Sequence, residues 1–192
     1  MAVGTATNVS AAKPSTGGAM YAGATTVTLP TSTSASIPTG MTSLGYISED
    51  GVTNASSPTN EDVKAWGGDV VLSMQTEKTD TFSMTLIEVL NDSVLKQIFG
   101  AANVTGSLSA GIAISVNASE LPEQAFVIDM IMRNNTAKRI CIPRGKITEI
   151  GEVSYADNAA AGYQITITAM PDASGNTHYE YIKAASTTGS GG

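Results

Sequence analysis

From Val70 to Leu86 the chain alternates with a period of two. Val70, Leu72 and Met74 alternate with Val71, Ser73 and Gln75, and Phe82, Met84 and Leu86 alternate with Thr81, Ser83 and Thr85. Successive side chains of a strand point to opposite faces, so the pattern predicts two strands, over 69–77 and 79–86. The intervening "EKTD" is the predicted turn, and it lacks the Gly or Asn that a tight hairpin favours. Upstream, "SLGYIS" (43–48) reads as a strand stopped by "EDG", and "DVKAW" (62–66) as one stopped by Gly67-Gly68. Residues 49–62 read as a long loop between them.

Downstream the same logic predicts strands over 111–118, 124–132, 138–143, 145–155, 162–170 and 178–184. The 111–118 strand is expected to bury Ile112, Ile114 and Val116. "QAFVIDMIM" (124–132) is apolar on both faces and needs cover on both, from the helix or from a neighbouring subunit. "PDASGNT" (171–177) is a turn. The predicted helix is 92–99. Asn91 caps it, Asp92 complements the helix dipole, and Leu90 and Leu95 are placed for a hydrophobic staple. Val94, Leu95, Ile98 and Phe99 form its apolar stripe, and Gly100 stops it.

Eight to ten strands and one helix predict a mainly β fold: an antiparallel β-sandwich or barrel flanked by one α-helix, which hides its strand edges. Residues 1–43 carry one charge, Lys13, and suggest only one strand, "TTVTL" (25–29). They read as an extended N-terminal arm, either flexible or ordered on a partner. Residues 44–184 form the β domain, and 185–192 a flexible tail.

Composition narrows the function. Only 14% of the 192 residues are charged, and the net charge of −7 opposes general binding to nucleic acid, which needs a positive surface. A single cysteine excludes an internal disulfide framework, and Cys141 in "RICIP" reads as a small buried apolar residue. No stretch reaches the ~18 apolar residues of a membrane-spanning helix, and the N-terminus has no signal-peptide core.

Catalytic chemistry finds little support. The single histidine, His178, has Asp172 and Ser174 nearby in sequence, but no G-x-S-x-G elbow is present. It reads as a strand-edge residue. No Cys or His pair suggests a metal, "DASGN" and "SEDG" lack calcium-loop spacing, and no phosphate loop occurs. Catalytic, metal and cofactor residues are therefore expected to be absent. Two features point to contacts between chains. Trp66 is either a core anchor or an interface residue. Residues 49–62 hold the acids Glu49, Asp50, Glu61 and Asp62 and no base, whereas 133–146 hold Arg133, Lys138, Arg139, Arg144 and Lys146 and no acid. Either both segments are solvated loops, or the acids of one copy face the bases of the next in a head-to-tail contact.

"LGYISEDGVT" (44–53), "VKAWGGDVVLSMQTEKTDTFSMTLIEVLN" (63–91) and "YQITITAMPDASGNTHYEYI" (163–182), with the opening "MAVGTATNVSAAKP", resemble the major tail protein of long-tailed bacteriophages, the tail tube subunit. The resemblance runs in order along nearly the whole chain. It implies a sheet-built core beside a helix, with arms and a long loop that corresponds to 49–62. It also implies rings of six subunits stacked into a hollow tube that conducts DNA during ejection without binding it specifically. A tape measure protein and tail terminator or tip proteins are the implied partners. The chain is then made in the host bacterial cytoplasm and resides in the virion tail. The alternative is a stand-alone β-sandwich binding module, a virion decoration or adhesion domain, which would stay monomeric.

Overall fold

The computed structural model describes residues 4–15 and 18–184; the predicted flexible tail, 185–192, lies outside them. Among the described residues the fold is mainly β with one α-helix. Eleven strands run in chain order: β1 (Ala12–Pro14), β2 (Met20–Ala24), β3 (Met41–Ser43), β4 (Ile47–Lys64), β5 (Val70–Leu86), β6 (Val104–Ser107), β7 (Gly111–Ile114), β8 (Gln124–Met132), β9 (Thr136–Ile150), β10 (Tyr163–Met170) and β11 (Tyr179–Lys183). The helix α1 spans Asp92–Phe99.

Nine strands form one antiparallel sheet in the order β3-β2-β8-β9-β10-β5-β4, with β1 added beside β8 and β11 beside β9. Strand β9 organises it. One edge of β9 pairs with β8, and the other is shared by β11, along 137–141, and β10, along 144–150. Pro143 sits where β11 has ended and β10 has not begun, and where the ladder to β8 shifts register, so its missing N–H breaks no pair. The two strands expected over 138–143 and 145–155 are thus one, which ends at Ile150.

One face of this sheet carries the core. Met20 and Ala22, Phe126 and Ile128, Ile140, Ile142 and Ile147, Ile165 and Ile167, and Phe82, Met84 and Leu86 are buried together with Val94, Leu95 and Ile98 of α1. Asn91 caps the helix as expected, its Oδ1 accepting from the Ser93 N–H at 2.9 Å. The expected staple does not form, because Leu90 is 64% exposed. Instead Glu88 accepts from the Asn91 side-chain amide at 2.8 Å and from the Tyr46 N–H at 2.9 Å, which fixes the entry to the helix.

Part of the outer face of β8 and the adjoining face of β9 is covered by the chain's own N-terminal segment. Residues 25–40 run as a strap over Arg139 and Cys141. Arg139 donates to the Ser32 and Ala35 carbonyls, each at 2.8 Å, and to the Asp129 carboxylate at 2.5 and 2.7 Å, and Cys141 donates to the Pro30 carbonyl at 3.4 Å. Burial pushes the Cys141 thiol up to about 11. The strand expected at 25–29 is part of this strap; the strands of the N-terminal segment are β1, β2 and β3. Part of the segment whose composition suggests an arm is therefore built into the sheet, with Met20 fully buried.

Residues 111–118 also differ from expectation. Strand β7 pairs only with β6, Ile112 is partly buried, and Ile114 and Val116 are 37% and 77% exposed. Ile112, Ile114 and Val116 share one side, and the body covers that side only in part, with Val104 the one buried residue of the ribbon.

Candidate assembly surface

Strands β4 and β5 form one hairpin, paired from Ile47↔Leu86 out to Lys64↔Val70. Two sequence readings are overturned here. Residues 49–62 are strand, not loop, and "EKTD" lies inside β5. The turn is Ala65–Asp69, closed by Ala65 N–H to the Asp69 carbonyl at 2.8 Å, with Gly67 and Gly68 at φ of 118° and 100°. Only glycine adopts those angles without strain. Pro58, Glu77 and Lys78 are strand-compatible because β4 is an edge strand and both faces are wet at that height, whereas Asp80 is buried and hydrogen-bonded.

The outer part of the hairpin leaves the body. Strand β10 pairs with β5 only at Asp80–Leu86, so 70–79 have one free edge, and β4 has another. At ~3.3 Å per residue the ribbon reaches about 33 Å from Asp80 to Val70. Every residue from 53 to 78 is exposed. Val63, Val70, Val71, Leu72 and Met74 are 43–63% exposed and Trp66, at the tip, 107%. The core-anchor reading of Trp66 is thereby overturned. Two-stranded hairpins in water are marginally stable, and a ribbon with apolar side chains and two unpaired edges is a template for another chain.

The root of the ribbon is anchored by polar groups. Asp80, 1% exposed, accepts from Asn54 at 2.8 Å and Thr177 at 2.7 Å and meets His178 Nδ1 at 2.6 Å. Burial raises the Asp80 pKa, but the hydrogen bonds from Thr177 and Asn54 and the adjacent His178 outweigh it and hold the carboxyl below its ordinary value. His178 also packs edge-on against Phe82, ring centroids 5.2 Å apart. Asp172 accepts from the backbone of Ser174 and Asn176 and from the Tyr179 hydroxyl, which shapes the turn. His178, Asp172 and Ser174 are thus separate structural devices and not a triad.

The residues singled out for contacts between chains separate into two groups. Glu49 and Asp50 lie at the base of the hairpin beside the Gly51 bulge, and Glu61, Asp62 and Trp66 near its tip. The bases lie elsewhere, on or next to β9. Lys138 pairs with Glu180 at 2.9 Å, Arg139 with Asp129, Arg144 with Glu123 at 2.9 Å, and Lys146 with Glu120. Arg133 has no acidic partner among the described residues. Asp80 and Asp129, which the sequence reading passed over, had a signal: each is a charge at an otherwise apolar strand position, Asp80 in phase with Phe82, Met84 and Leu86, and Asp129 in phase with Val127 and Ile131.

Compared with known families, residues 5–190 match the family described as phage tail tube protein. The chain belongs to that family. Comparison with curated proteins finds no match. As a tail tube protein it is a structural component of the virion tail, in a family whose members assemble into the tube. No described helix is long and apolar enough to cross a membrane.

Proposed function

We propose that this tail tube protein forms rings of six that stack into a hollow tube, and that its projecting hairpin joins each copy to its neighbours. The observation that carries this reading is the ribbon itself. It exposes Trp66, Val71 and Leu72 and two unpaired edges, which a monomer has no reason to keep. The wall made by these sheets is the function, and no catalysis is assigned to it. A net charge of −7 suits a channel for DNA, since it offers phosphates no general grip. The tape measure protein inside, and terminator or tip proteins at the ends, complete the proposed tail.

Electron microscopy of the purified protein at rising concentration tests this. The parent chain is expected to form tubes. A variant with residues 58–78 replaced by Asn-Gly is expected to melt like the parent and stay unassembled. Tubes of normal dimensions from that variant overturn the role of the hairpin; a parent that never assembles overturns the tube.

A further inference from the structure

The chain has ten Lys and Arg residues. Lys96, Lys138, Arg139, Arg144 and Lys146 are ion-paired within the chain, and Lys183 donates to Ser34. Among the described residues, four have no such partner. Lys64 and Lys78 sit on the hairpin, and the other two, Lys13 and Arg133, line the same open groove of about 620 Å³. This groove lies between β1 and the turn that joins β8 to β9. Its apolar wall is Val9, Ile131 and Met132. It is preformed: Lys13 is in register with Ile131, the Arg133 N–H donates to Ser10 Oγ at 2.7 Å, and Asn134 and Asn135 hold left-handed φ of 58° and 57°.

The tip of the hairpin is its complement. Between 61 and 70 lie Glu61, Asp62 and Asp69 against one base, Lys64, around a fully exposed Trp66. The β4–β5 ladder, paired out to Lys64↔Val70 with register shifts after Thr59 and Val63, carries this tip away from its own body, so a groove that takes it belongs to another molecule. We propose that the hairpin tip of a second copy of this chain seats in this groove, with its Trp66 against Ile131 and Met132 and its acids facing Lys13 and Arg133. Trp is the residue type most suited to anchor such a contact, and the sign contrast gives the contact a direction. A contact between two different patches is directional, and it repeats without closing when one copy is displaced along the tube axis from the next, as between stacked rings. The inference rests on the tube reading and adds the receptor site.

The test replaces Trp66 by photoreactive benzoylphenylalanine, irradiates assembled protein and sequences the cross-linked peptides. Cross-links to 9–13 and 131–135 of another copy are expected. Tubes whose cross-links fall elsewhere, or that give none between copies, overturn the groove and leave the tube reading intact. A charge swap decides independently, including where the probe at position 66 blocks assembly. Arg133→Glu is expected to raise the concentration needed for tube formation about fivefold at low salt. Adding Asp62→Arg is expected to recover most of that loss, with melting unchanged throughout because both side chains are exposed. Arg133→Glu assembling at the parent concentration overturns the proposal. Failure of the parent itself to form tubes overturns the tube reading, and the groove with it.

Discussion

Asp80 and His178 lie 98 residues apart in sequence and meet at 2.6 Å, locking the loop before β11 onto the root of the β4–β5 hairpin. The same carboxylate takes Asn54 from β4 and Thr177 from that loop. One buried side chain thus ties three segments where the ribbon leaves the body.

Asp80→Asn is expected to cost about 1–3 kcal/mol, because it leaves buried donors without an acceptor. Since the folded carboxyl titrates below its ordinary value, its contribution is full above the unfolded pKa of about 3.9 and is lost as pH falls toward the lower, folded one. Melting temperatures between pH 6 and 3 check this: the Asn variant should show a shallower acid slope than the parent.

The strap over β8 depends on Arg139, whose guanidinium holds Asp129 and two strap carbonyls at once. Arg139→Ala removes a buried guanidinium and leaves the partly buried Asp129 carboxylate and two strap carbonyls unpaired, and is expected to cost about 2–4 kcal/mol. Arg139→Lys keeps the charge but loses the fork, so it should recover only part of that. Because Pro30 and its neighbours cover Cys141, thiol labelling reads the strap directly. It should be very slow in the parent and faster in both variants.

Leu95→Ala removes a side chain that is 4% exposed from between α1 and the sheet and is expected to cost about 2–5 kcal/mol. Phe99→Ala, half-buried edge-on against Tyr163 at 5.7 Å, should cost less. Chemical denaturation of both gives the order.

The parts of the fold legible in sequence were those with at least one dry face. Helix α1, with Asn91 and its stripe, and strands β8 and β10 appear as expected, because period and capping are local signals. The hairpin misled for a physical reason. Alternation at Val70, Leu72 and Met74 continues that of Phe82, Met84 and Leu86, but the former side chains are exposed and the latter buried. Period two reports a strand and not what covers it. The 49–62 segment, with Pro58 and many polar residues, looks like a loop because an edge strand wet on both faces has no apolar constraint. Of its acids, Glu61 and Asp62 lie near Trp66 at the tip, whereas Glu49 and Asp50 lie at the base. Four of the five bases, Lys138, Arg139, Arg144 and Lys146, pair with acids of their own chain, which sequence proximity does not reveal.

The central claim is that neighbouring copies cover the hairpin in the tube, and amide hydrogen exchange measures that cover most directly. In the dispersed protein, the amides of 53–78 on the two unpaired edges should exchange within the fastest class, while those of Phe82, Met84 and Leu86 are protected. In assembled protein, the account predicts strong protection across 53–78, greatest around Trp66. Equal exchange of 53–78 in the two states would contradict it.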